Sequence, residues 1–202
     1  MTIFLVRHGR AQAGVEDLDP GLDDLGKAQA AAVALVLSSL LPPPSSLVVS
    51  PLRRTIETAE PIASALEIEP EVRVEVAEVF DPTMPVDERR AMLGPFMAGL
   101  WSQQPAHLQA WRRRVVDTLL ELGLAASAAG HDLVVVSHYI AICVAVGEAT
   151  GDDRVVPAPI ANASITSLRA GHGGLQLIES GATGHLAPEQ ITGVHTAGMG
   201  RG

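Results

Sequence analysis

Four side chains in this sequence have the types and placement to handle a phosphoryl group together. Arg7 and His8 follow a short apolar run, Ile3 to Val6. Arg54 stands in what reads as the first turn of a helix after a second such run, Leu47 to Val49. His138 follows the most apolar run of the chain, Leu133 to Val136. A phosphoryl group in transfer carries dispersed negative charge, so a protein mainly has to supply positioning and positive donors. Two arginines offer forked N–H donors to its oxygens. A neutral imidazole is a competent nucleophile, and a second, charged imidazole would add a further donor. Taken singly, each piece has a plainer explanation: a structural histidine after a strand, a solvated Arg53-Arg54 pair, a His138 that only bonds a loop. Their order and shared placement argue for chemistry.

That placement requires the apolar runs to be neighbouring strands. Ile3 to Val6 reads as a buried strand feeding a loop, Arg10 to Leu22. Asp23 can cap a helix from Asp24 to about Leu41, stopped by Pro42-Pro43-Pro44. Ser50-Pro51 reads as N-cap and first helical position of a helix reaching about Leu66, whose positive end would add to the anion site. Val72 to Val79 has strand composition, and Asp81 to Pro105 is Pro-broken and irregular. Trp111 to Leu124 has helical apolar spacing, and Ile140 to Ala149 reads as a buried helix. Ser164 to Leu168 and Leu175 to Ile178 look like a hairpin. This order predicts an α/β fold: a three-layer α/β/α sandwich with a mainly parallel central sheet, carrying its ligand beyond the carboxyl ends of the strands. The expected organisation is a single domain, 1–180, with a lid-like insert at 81–108, and a C-terminal tail, 181–202, rich in Gly, Thr and Ala.

Composition narrows the partners. The 202 residues are 47% apolar and 18% charged, which fits one globular domain. A net charge of −9 argues against a general nucleic-acid binder, but not against a small phosphorylated substrate held in a local positive field. Cys143 is the single cysteine, so no intrachain disulfide is possible, and its apolar setting marks it as core. The first apolar run is too short for a signal peptide, and no segment has the length of a membrane span, so the expected location is cytoplasmic. His107, His131, His172, His185 and His195 show no metal-ligand spacing. Exposed apolar helix faces are compatible with a homodimer.

Longer stretches carry a resemblance. Leu5-Val6-Arg7-His8-Gly9 resembles the Arg-His-Gly signature of the histidine phosphatase (phosphoglycerate mutase-like) superfamily. Ser50 to Ala59 is similar to its second block, with Arg54 in the place of a phosphate ligand, and Val135 to His138 is similar to its third. Asp23 to Ala30 matches the start of its first helix, and Asn162 to Thr166 the start of its last strands. The resemblance implies a phosphatase in which His8 becomes a phosphohistidine, Arg7, Arg54 and His138 hold the oxygens, and no metal or other cofactor takes part. It implies an acid soon after the third strand; Glu78 fits, with Glu75 and Asp81 as neighbours. Gly9 and Gln12 would contact substrate from the loop; Arg10 either reaches solvent, the plainer reading, or contacts a second anionic group on the substrate. The chain departs from the family in Val79-Phe80-Asp81-Pro82, where many members have a Trp-Glu-Gly run, and in Arg10, where many have Glu or Gln. Mutases of the family resemble one another in a longer, more basic insert; the short one here favours hydrolysis over mutase chemistry. A relative that binds phosphate without catalysis has no chemical need of all four residues.

Overall fold

The computed structural model describes residues 1–12, 17–41, 45–80, 84 and 86–194. The elements are β1 (Ile3–Arg7), α1 (Asp24–Leu40), β2 (Ser45–Val49), α2 (Arg53–Leu66), β3 (Glu71–Val72), α3 (Val86–Met97), α4 (Ala106–Ala129), β4 (Asp132–Ser137), α5 (Tyr139–Thr150), β5 (Ile165–Gly171) and β6 (Gly174–Ala182). They build one six-stranded sheet of order β3-β2-β4-β1-β5-β6. The first four strands run parallel; β5 adds antiparallel to β1, and β6 antiparallel to β5. This is the three-layer α/β/α arrangement with a mainly parallel sheet that the strand and helix order implies.

Period-two alternation divides the central strands between two cores. Ile3, Leu5, Leu133 and Val135 face a core with Val115 and Leu119 of α4 and Ile142 of α5. Val6, Val134 and Val136 face the opposite core with Val33 and Leu37 of α1 and Ile62 of α2. Strands covered on both faces read as continuous apolar runs, which is why β1, β2 and β4 stand out in the sequence. Helix α5 is buried all round from Tyr139 to Gly147, so its sequence shows no amphipathic stripe.

Four expectations need correction. Helix α2 begins at Arg53, not Pro51; its N-cap is Leu52, and no side chain of the cap residue bonds the helix. The Asp19 carboxylate accepts the Arg53 N–H instead, at 3.0 and 3.1 Å. The strand expected over Val72 to Val79 is only Glu71–Val72 at the sheet edge, followed by a 3-10 turn at Val74–Val76. The stretch expected to be irregular contains α3, with Pro95 inside it. Helix α4 extends from Ala106 to a left-handed Gly130, well beyond Trp111 to Leu124. Residues 86–108 are also anchored on the core. Phe80, Phe96, Trp101 and Trp111, four of the chain's six aromatic residues, stack in sequence with centroids 5.2 to 6.1 Å apart. Each such pair contributes about 0.5–1.5 kcal/mol beyond burial, so Phe96 and Trp101 tie the end of α3 and the turn after it to the core. Met84 and Met97 pack against the same core, while Met92 is exposed. The expected Pro42-Pro43-Pro44 stop, Asp81 and His195 lie outside the described residues.

Candidate active site

Three parallel neighbours end on one line. Val49 of β2 pairs with Val136 of β4, and Arg7 of β1 pairs with Ser137, so Ser50, His138 and His8 emerge side by side. The backbone seals this edge: His8 N–H donates to Ser137 O at 3.0 Å, and Ser50 N–H to Val136 O at 3.1 Å. The two imidazole rings lie 5.3 Å apart, centroid to centroid. Both are buried. Helix α1 presses close behind His8: a Cβ on Gly9 would run into the Gly26 carbonyl of α1, and a Cβ on Gly26 into the Arg10 backbone. Glycine at both positions lets helix and loop meet.

Arg54 bridges the two histidines. Its Nε donates to His8 Nε2 at 3.3 Å, and its Nη2 lies 3.3 Å from His138 Nδ1. A guanidinium has donors only, so each ring nitrogen facing it must present a lone pair. His8 then carries its proton on Nδ1, which donates to Gly9 O at 2.7 Å. His138 carries its proton on Nε2, which donates to Ser50 Oγ at 2.7 Å. The tautomers thus follow from the hydrogen-bond network. The outcome is a neutral imidazole whose unprotonated Nε2 points at the arginine that would grip a phosphoryl oxygen.

Electrostatics agree. Burial, then Arg54 and Arg7, hold the His8 pKa well below the ordinary histidine range. Burial, then Arg54, His8 and Arg7, do the same for His138. Without an anion, desolvation and the two arginines favour a neutral His138; the expected charged ring belongs to the anion-bound site. Arg7 is itself buried and its pKa lowered by desolvation, which the nearby Glu78 charge opposes. Its Nη1 donates to Ile160 O at 2.5 Å and Gly193 O at 2.8 Å, and its guanidinium lies over the Tyr139 ring at 4.7 Å. Burial pushes the Tyr139 hydroxyl up to about 12, so it stays protonated, and Cys143 is a buried thiol likewise pushed up to about 12.

The remaining expected site residues make the following contacts. Glu78 is half-buried and its Oε1 accepts the Val79 N–H at 2.9 Å. Gly9 N–H donates to Thr58 Oγ1 at 3.0 Å, which fixes the loop that follows His8. Arg10 turns outward to Asp23, the α1 cap, at 2.6 Å. Gln12 is exposed, and its N–H is tied to Gly21 O. Sequence reasoning missed Ser50, read as a helix cap, and Asn162, whose Nδ2 donates to His8 O at 3.1 Å. Neither role has a local signal, since each depends on a partner more than eighty residues away.

Two buried neutral imidazoles make stability pH-dependent. An unfolded histidine takes a proton near pH 6.5 while these stay bare, so below that pH the unfolded state binds more protons. Stability from this source is complete above about pH 6.5 and falls as pH drops below it, by about 1.4 kcal/mol per pH unit for each imidazole. Urea unfolding at pH 7.0, 6.5, 6.0 and 5.5 should show that slope. His138→Asn should make it shallower; an unchanged slope would sink the assignment.

A mainly parallel α/β/α sandwich with two histidines and two arginines at one strand edge defines a class of phosphoryl-handling protein. The family model for the histidine phosphatase superfamily (branch 1) matches residues 3–183, and the chain belongs to that family. Its fold is shared with solved structures of low sequence identity. Phosphoserine phosphatase from Entamoeba histolytica, in complex with 3-phosphoglyceric acid, is 22% identical, with a TM-score of 0.72 over 92% of this chain and 99% of that one. Bacillus stearothermophilus YhfR is 19% identical, with a TM-score of 0.73 over 91% and 98%. A mycobacterial glucosyl-3-phosphoglycerate phosphatase is 22% identical, with a TM-score of 0.67 over 90% and 99%. No curated protein matches the sequence. Among the described residues, no helix is long and apolar enough to cross a membrane.

Proposed function

We propose that the chain is a phosphomonoesterase that works through a phosphohistidine on His8 without a metal ion. The observation that carries this reading is the bare Nε2 of His8, held 3.3 Å from the Arg54 Nε donor. In the first step the Nε2 lone pair attacks phosphorus in line, and the P–O bond to the leaving group breaks. Arg54 gives up its imidazole contacts for phosphoryl oxygens, and Arg7 supplies the second fixed cation. An arriving dianion would favour protonation of His138, which then donates to the same oxygens. Glu78 is the proposed acid: its proton goes to the departing alkoxide, and the carboxylate then takes a proton from the water that attacks phosphorus. Phosphate leaves and His8 Nε2 is bare again. Arg10 serves the α1 cap through Asp23.

Hydrolysis is favoured over return of the phosphoryl group to another hydroxyl, because the segment that would have to close over the phosphoenzyme is pinned by its aromatic stack. The proposed substrate is a small phosphomonoester, as in the phosphatases that share the fold, and the protein is proposed to act in the cytoplasm. The test is phosphate release from p-nitrophenyl phosphate, an alkyl phosphate and 3-phosphoglycerate, in chelator, with wild type and Glu78→Gln side by side. Wild type should release phosphate from the first two. Glu78→Gln should slow the alkyl ester by about 10²-fold or more and p-nitrophenyl phosphate far less, because a good leaving group needs little protonation. Equal losses would remove Glu78 from the acid role. Bisphosphate-primed isomerisation of 3-phosphoglycerate without release would establish a mutase instead.

A further inference from the structure

The family match ends at residue 183, yet the chain beyond it returns to the catalytic centre. After β6 a 3-10 turn at Pro188–Gln190 leads into Ile191 to Val194. Two buried amide side chains fasten this segment. Gln29, fully buried in α1, accepts the Arg10 N–H with Oε1 at 2.7 Å. Its Nε2 donates to Gln190 O at 2.6 Å and Thr192 Oγ1 at 3.0 Å. Asn162 donates its Nδ2 to His8 O at 3.1 Å and its backbone N–H to Thr192 O at 2.8 Å, and its Oδ1 accepts from Thr192 Oγ1 at 3.3 Å. Each amide therefore holds the catalytic loop with one end and the C-terminal segment with the other.

The segment's last contact is with Arg7. Gly193 O accepts from Arg7 Nη1 at 2.8 Å, alongside Ile160 O. The buried Nε of Arg7 has no acceptor among the described residues, so the torsion of the guanidinium is set at Nη1 and by the Tyr139 ring. Gly193 has φ +71, and a Cβ there would collide with Asn162 Oδ1 and crowd Arg7 Nη1. Only glycine supplies this turn and this close approach together.

We infer that Pro188 to Val194 is a strap that positions Arg7 for the transferred phosphoryl group, with Gly193 as its contact and Gln29 and Asn162 as its anchors. The inference rests on the phosphatase reading. A cover that merely sealed the surface would have no need to accept from the catalytic cation. Arg7 lies in a pocket where oxygens must be met within tenths of an ångström, so loosening it lowers affinity for a phosphoryl mimic even when the fold is unharmed.

The experiment measures the dissociation constant of orthovanadate, a mimic of the pentacoordinate phosphoryl group, by calorimetry on the full chain. The variants are Gly193→Val, Thr192→Val, Arg7→Ala and the two pairings with Arg7→Ala, with thermal melts as the check on folding. Gly193→Val should weaken binding about tenfold and Thr192→Val, which keeps the shape and loses the hydroxyl, about threefold. Arg7→Ala should weaken it about a hundredfold, and neither strap variant should then add to that loss. Effects that add in full to Arg7→Ala, or strap variants that bind like wild type, overturn the strap. If Gly193→Val does not fold, the Thr192→Val cycle decides by the same criterion. A wild-type chain with no affinity for vanadate overturns the phosphatase reading itself, an outcome distinct from a wild type that binds and a strap that does not matter.

Discussion

His8→Ala should cost about 10⁴-fold or more in turnover of p-nitrophenyl phosphate and leave the fold in place. The size of the loss follows from the role: without Nε2 no covalent intermediate forms, and water would have to attack a phosphate held only by Arg7, Arg54 and His138. Survival of the fold follows from the bonds that remain. The backbone of residue 8 keeps its N–H bond to Ser137 O and its carbonyl bond from Asn162. The lost ring leaves a small cavity beside Arg54, which costs roughly 1–3 kcal/mol and lowers the melting temperature by several degrees. Two readouts should agree: turnover, and an acid-labile, base-stable phosphoenzyme trapped in wild type and absent from the variant. A variant that turns over at wild-type rates would remove His8 from the reaction. Loss of activity together with loss of the far-ultraviolet circular dichroism would show only that His8 is structural.

The edge that carries the candidate site is legible in the sequence because its strands are. β1, β2 and β4 are covered on both faces, so each is an unbroken apolar run whose end is marked by the first polar residue. Once those three runs are taken as parallel neighbours, Arg7, His8, Arg54 and His138 converge without further information. The illegible parts obey other forces. Pro95 argues against a helix locally, but the packing of Phe96 and Trp101 on the core outweighs it. β3 is a two-residue edge strand with both side chains exposed, so no alternation reaches the sequence. Ser50 sits where a helix cap should be and instead takes the His138 proton bond, leaving Asp19 from a distant loop to meet the helix. The electrostatic setting of His138 is nonlocal for a related reason: after burial, the charges that lower its pKa lie on Arg54, His8 and Arg7, all distant in sequence. Gly193 is invisible as a site residue because its contribution is a backbone carbonyl.

Arg54 is the residue on which these threads meet, and its removal should produce the second large effect. Arg54→Ala is expected to lower kcat by about 10³-fold, the upper range for loss of one preorganised donor at a developing charge. Arg54→Lys should recover little of it, because an ammonium cannot reproduce the fork that spans His8 and His138. The same variant should also change the histidines themselves. After burial, Arg54 is the charge that lowers both imidazole pKa values most. Without it each pKa moves back up toward the ordinary value, so both rings take up protons at a higher pH than in wild type. A protonated Nε2 has no lone pair to attack with, so the variant's residual activity should fall on acidification at a pH where wild type is unaffected. Histidine ring signals followed by NMR between pH 8 and 5 separate this from a simple loss of binding. Unchanged titrations with a thousandfold slower reaction would mean that Arg54 acts on the phosphoryl group alone. A loss below tenfold would mean that the bridge between the two imidazoles is not where the phosphoryl group binds.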